Sequence, residues 1–163
     1  LTWRWRPSRP YRRGVMMGVG GRHSGVHRFG SLREAIARSR KTKVGAMGRE
    51  RDLPLERLII SGGGSNGDLF MQIFADAVGV PASRNLVNGS VSMGCAICAA
   101  VALGLHGDFD RTTAKMVKPR DTFTPIPENV ETYREINNGV FATITDYTDE
   151  VLKKSHRIAA RKG

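Results

Sequence analysis

Cysteine is scarce: Cys95 and Cys98 are the only two in 163 residues. A single pair of thiols excludes a small scaffold stapled by disulfides, and their Cys-x-x-Cys spacing lacks the two further ligands of a structural zinc. Long apolar runs are missing as well. Residues 93–105 are apolar on every side but number thirteen, against the roughly 20 that span a bilayer. With no signal-peptide pattern elsewhere, the expected location is cytoplasmic and away from membranes. Histidines number four. His23 and His27 lie four apart, but Gly25 between them weakens a helix and no third ligand is near, so no metal site is expected. Acidic residues are absent from residues 1–13.

What is present is uneven. Residues 1–52 hold 14 Lys and Arg against 3 Asp and Glu, whereas residues 53–163 hold 12 of each, so the whole net charge of +11 belongs to the first third. Arginines interleaved with Trp3, Trp5 and Tyr11 suit a nucleic-acid backbone or an anionic surface, but the aperiodic, acid-free composition reads first as a disordered basic leader over 1–13. The neutral remainder makes a nucleic-acid partner an unfavoured reading. At 163 residues, 40% of them hydrophobic, one core is sustainable, and a single domain over 14–157 with a basic tail at 158–163 is expected.

The chain is organised around residues 58–79. Leu58, Ile59 and Ile60 make a buried strand; Gly62, Gly63 and Gly64 make a turn that no larger side chain could follow; a periodic helix starts directly after. Leu69, Phe70, Ile73, Phe74, Ala77 and Val78 fall on one stripe of that helix, with Asp68, Gln72 and Asp76 opposite. Gly79 ends it and Pro81 prevents continuation. A side-chain-free turn at a helix start lets an anionic ligand lie against the main chain, where unpaired amides and the helix dipole meet it. The turn is read as neither a phosphate-binding P-loop nor a dinucleotide fingerprint, and no lysine is at hand for a terminal phosphate.

Ser61-Gly62-Gly63-Gly64-Ser65-Asn66, Met71-Gln72-Ile73-Phe74-Ala75-Asp76 and Gly79-Val80-Pro81 together resemble the C-terminal domain of the FGGY carbohydrate kinases. That family includes glycerol, xylulose, ribulose, erythritol and autoinducer-2 kinases. The small-residue helix at 93–105 is similar to the helix that follows there, as are Met116-Val117-Lys118, Phe123-Thr124-Pro125 and Tyr133. The likeness runs from about residue 14 to about residue 144.

The resemblance implies an α/β fold of the ribonuclease-H-like, actin-like ATPase class, a mixed sheet flanked by helices. It implies two domains with ATP and its Mg²⁺ between them, and transfer of the γ-phosphate to a sugar or polyol hydroxyl. Gly62, Gly63, Gly64, Ser65, Asn66 and Gly67 are then the candidate nucleotide-binding residues. Gly63 and Gly64 would lie against the adenosine and α-phosphate, and Gly67 stands where relatives commonly carry Ser or Asn. The catalytic base and the sugar-binding residues belong to an N-terminal domain with no counterpart here. The absence of an initiating methionine and the loss of the family's Ala-Arg-Gly before the first strand, of which only Arg13-Gly14 remains, suggest a truncated or shifted start.

Elsewhere the pattern predicts a strand over 14–19, a loop over 20–27, and a helix opened by the capping box Ser31-x-x-Glu34. Leu32, Ala35, Ile36, Val44 and Met47 share its loose apolar face, and the run 38–43 is a solvated surface. Leu86 and Val87 form a short strand. The helix at 93–105 should be buried all round, with both cysteines serving as small hydrophobes. An irregular loop follows Gly107, and one long helix runs from about 128 to about 156 with Val130, Tyr133, Ile136 or Asn137, Val140, Ile144, Tyr147 and Val151 on one face.

Three functions fit. The chain is the ATP-binding part of a carbohydrate kinase using ATP/ADP and, through the missing domain, a sugar or polyol. Alternatively it is a non-catalytic actin-like remnant acting as an interaction module, or a basic nucleic-acid binder. Self-association as a homodimer stays open.

Overall fold

The computed structural model describes Tyr11 and residues 14–161; the basic leader expected over 1–13, Tyr11 apart, and the last two residues of the expected tail lie outside the described residues. The chain divides into two compact units. Leu55–Ile126 forms one, and the chain before and after it the other.

The first unit carries the glycine turn. Leu58–Ile59 (β1) leads through a 3-10 turn at Gly63–Asn66 into helix α2, Asp68–Val78, which returns the chain to Ala82–Asn85 (β2). β2 lies parallel to β1, with Leu58 beside Ala82, and antiparallel to Pro119–Phe123 (β3). The expected mixed sheet is therefore present, in the order β1-β2-β3, with α2 packed against it. Met71, Ile73, Phe74, Ala75 and Ala77 of α2 are buried, and Gly79 closes the helix at φ 85°, in the region that glycine tolerates best.

The expected stripe is only partly right. Leu69 is exposed, and Asp76, counted to the outer face, is 3% exposed. Its carboxylate accepts from the Ile126 amide and from Gln72 Nε2, both at 2.8 Å, while Gln72 also donates to the Thr124 carbonyl at 3.0 Å. The pair ties α2 to residues 124–126. Asp76→Ala leaves the Ile126 amide without that acceptor and is expected to cost about 1–3 kcal/mol in denaturant unfolding; a change inside experimental error would refute the tie.

Several local expectations are corrected. The strand of the second connection is β2 rather than Leu86 and Val87, which are exposed. The ladder needs alternating burial, and Ala82 and Arg84 supply it. The loop after Gly107 contains helix α4, Phe109–Met116, and β3. Asp108 was the overlooked signal, an N-cap whose carboxylate accepts from the Arg111 amide at 2.8 Å. Helix α3, Ser90–Ala102, begins three residues early and is not buried all round. Only Ile97 and Ala100 are buried, since among the described residues α3 packs mainly against α4. Cys95 and Cys98 are consequently exposed thiols rather than core residues.

In the second unit, residues 14–20 are irregular rather than a strand. Helix α1 spans Gly25–Arg51, so residues 25–27 belong to a helix and not to a loop. The capping box sits at Ser24 and His27, not at Ser31 and Glu34. Inside the helix, the Ser31 hydroxyl donates to the Arg28 carbonyl at 2.8 Å and Glu34 pairs with Arg38 at 3.3 Å. The apolar face is also different: Ala35 and Ala37 are buried, whereas Leu32, Ile36 and Met47 are exposed. Arg38 departs from the solvated run, being 9% exposed with its guanidinium 3.8 Å from the centre of the Phe141 ring; burial pulls its pKa down.

The long C-terminal helix is interrupted. α5, Pro127–Ile136, passes through a π turn at Asn137–Phe141 into α6, Ala142–Ala160, which runs on past His156. Asn137, Asn138 and Gly139 are weak helix formers, which is where a wider turn costs least. Ile144 is buried, yet Tyr147 and Val151 are exposed while Thr148 and Leu152 are half-buried. Among the described residues no helix is long and apolar enough to cross a membrane.

Candidate functional site

The glycine turn is an open ledge between β1 and α2. Gly62, Gly63 and Gly64 are exposed. Gly62 has φ 96°, a backbone setting that would strain any other residue. A Cβ built on Gly62 or Gly63 would meet nothing within 4 Å, so open space lies over this part of the main chain. Gly64 differs. A Cβ there would stand 2.9 Å from Phe70 Cε1, so this glycine is demanded by the protein's own packing. Phe70 in turn leans on Phe74, with ring centres 4.8 Å apart.

The turn is closed from within. Ser65, one of the candidate ligand residues, is buried, its hydroxyl donating to the Gly62 carbonyl at 2.7 Å and its amide to the same carbonyl at 3.0 Å. Gly67 donates to the Gly64 carbonyl at 3.2 Å and then caps α2 without a side chain to help. The amides of Gly63 and Gly64 precede the first of these bonds, and of the two residues Gly63 lies under open space. Two contacts from the next connection hold the turn's ends. The Asn88 carbonyl accepts from Gly62 at 2.7 Å, and Asn88 Nδ2 donates to Asn66 Oδ1 at 2.8 Å.

One residue beneath the turn has no counterpart in the sequence reading. Arg84 of β2 is 2% exposed. Its Nη1 donates to the Ser65 carbonyl at 2.7 Å and Nη2 to Asp68 Oδ1 at 2.7 Å. Nε and Nη2 grip both oxygens of Asp121 on β3, at 2.6 and 2.7 Å. The hydrogen bonds to Asp121 first, and to Asp68 next, raise the guanidinium pKa above its ordinary value, and the same contact holds the Asp121 carboxyl below the usual range. The signal was legible in principle: an arginine alternating inward with Ala82 on a strand must find anions.

Chemically, the ledge offers main-chain donors and space, and Arg84 beneath it is already occupied by two carboxylates. Such a surface suits the flat, weakly charged end of a nucleotide better than its terminal phosphates. The spacing Gly62-x-Gly64-x-x-Gly67 between β1 and α2 does satisfy the dinucleotide glycine pattern, contrary to the reading above, and the strand–helix–parallel-strand frame is the one that pattern requires. No Asp or Glu occurs between residues 77 and 107 to receive a ribose hydroxyl, so the fingerprint is incomplete. His23 and His27 stand edge to ring, 5.8 Å between centres, and among the described residues no group of three or more His, Cys, Asp and Glu could hold a metal.

Comparison with known proteins bears on family and fold. The model of the FGGY family of carbohydrate kinases, C-terminal domain, matches residues 4–103. An uncharacterized sugar kinase of Escherichia coli (strain K12), YgcE, is 41% identical over 97% of this chain and 32% of its own length. The autoinducer-2 kinase of Enterobacter sp. (strain 638) is 35% identical over 64% of this chain and 20% of its own. The crystal structure of xylulose kinase from Rhodospirillum rubrum superposes with a TM-score of 0.74 at 25% identity, covering 89% of this chain and 29% of that one. The chain thus spans a third or less of the relatives it matches.

Proposed function

This chain belongs to the FGGY family of carbohydrate kinases, and from that premise we propose that it is the ATP-binding C-terminal part of a kinase that phosphorylates a sugar or polyol. The observation that carries the reading is the open main chain at Gly62 and Gly63, at the mouth of α2. The adenosine and α-phosphate lie along Gly62, Gly63 and Gly64, with Asn66 and Gly67 at the edge. The Ser65 side chain, bonded inward, keeps the turn in shape. ATP supplies the phosphoryl group, and Mg²⁺ arrives with it. Transfer itself needs positioning, neutralised charge and removal of the hydroxyl proton, and the residues for those tasks lie in the part of such kinases that this chain does not span. We read the protein as cytoplasmic, where ATP is supplied, and nucleic acid as an unfavoured partner.

Calorimetric titration of MgATP and MgADP into the purified chain tests this. Saturable binding is expected with Kd on the order of 0.1–1 mM, roughly 4–5.5 kcal/mol, the modest affinity of half a site. No sugar is phosphorylated by the chain alone. Absence of saturable heat with either nucleotide overturns the reading in favour of a non-catalytic interaction module.

A further inference from the structure

We propose that Arg84 is a positioning residue for the glycine turn, fixing the main chain on which the nucleotide rests; this builds on the nucleotide reading above. The inference starts from geometry. A guanidinium carries five N–H donors, and one bidentate carboxylate takes up only two of them. Arg84 instead joins three separate pieces of backbone: β3 through both oxygens of Asp121, the start of α2 through Asp68, and the middle of the turn through the Ser65 carbonyl. The turn's own bonds are short-range, Ser65 to Gly62 and Gly67 to Gly64, and hold its curvature without fixing it to the sheet. Asn88 secures only its rim.

Arg84 is therefore the contact that fixes the height and tilt of the turn above β2. Through the rigid fork of the guanidinium, the Ser65 carbonyl is drawn down into the protein. Drawing that carbonyl inward sets the tilt of the turn that carries the amides of Gly63 and Gly64. The same fork neutralises Asp68, whose carboxylate at the first turn of α2 would otherwise face an approaching phosphate uncompensated.

Lysine cannot replace this. Its ammonium is a point charge with three radiating donors, unable to span Asp121, Asp68 and Ser65 together. Arg84→Lys is expected to speed hydrogen exchange at the amides of Ser65, Asn66 and Gly67 by about ten-fold or more, while Ile73 to Val78 of α2 exchange as before. It is also expected to weaken MgADP by about ten-fold, the usual consequence of misplacing a binding group slightly. Asp68→Asn is the second variant, since its side chain is 75% exposed and no packing is at stake. It should move the same three amides in the same direction by about three-fold.

The idea fails if the turn amides keep their wild-type exchange in both variants, or if α2 loosens as much as the turn, which is the mark of a merely structural arginine. Exchange is measured without nucleotide. Should the wild type itself bind no MgADP, the nucleotide reading falls on its own, and the exchange pattern still decides whether Arg84 sets the turn.

Discussion

Gly64→Val is expected to destabilise the unit around the turn by about 3 kcal/mol, near the upper end of what overfilling a packed site costs. The Cβ alone would stand 2.9, 3.2 and 3.3 Å from three edge carbons of Phe70. That ring cannot swing away freely, being half-buried and tilted against Phe74 at 4.8 Å. Valine adds two methyl groups to the conflict. A loss of this size in a chain of this length lowers the melting temperature by roughly 6–12 °C. The cause is separable by a double-mutant cycle. Phe70→Ala removes the obstacle, so Gly64→Val in that background should cost at least about 1 kcal/mol less than in the wild type. Additive losses would show that Phe70 is not what reserves position 64 for glycine.

Gly63→Val should do the opposite. Nothing lies within 4 Å of a Cβ there, so stability is expected to change by no more than about 0.5–1 kcal/mol. Nucleotide binding should suffer instead, because the side chain would occupy the space above the main chain that the ligand needs. MgADP affinity is expected to fall by more than about ten-fold, or 1.4 kcal/mol. Wild-type affinity in a folded Gly63→Val protein would remove the ledge from the binding site. The two variants thus split one glycine run into a position required by packing and a position required by a visitor.

That split was not legible in the sequence, where three consecutive glycines look alike. Main-chain features with local causes read well: the helix after the turn and Gly79 as its stop. The strand before the turn is present but is confined to Leu58 and Ile59 and is not buried, Ile59 being 60% exposed. The failures share a physical origin. Asp76 was assigned outward because aspartate is usually solvated, yet the distant Ile126 amide and Gln72 help make its burial tolerable. Arg84 was passed over for the same reason, its three partners being scattered over residues 65, 68 and 121. Ser31 and Glu34 satisfy the capping pattern, but helix formation begins where the first favourable cap occurs, and Ser24 with His27 comes seven residues sooner. For α3, apolar composition said that it could be buried, and the number of neighbours decided that most of it is not.

The π turn at Asn137–Phe141 has an arithmetic effect on everything after it. One surplus residue absorbed in a turn rotates the downstream chain by about 100° relative to a continuous count. Counting from Val130 nominates Tyr147 and Val151 as inward, whereas Thr148 and Leu152 hold those places, each one step later. Ile144 keeps its inward place, and beyond it the inner edge moves one residue on to Thr148 and Leu152, so a heptad count carried past residue 139 loses the covered face by residue 147.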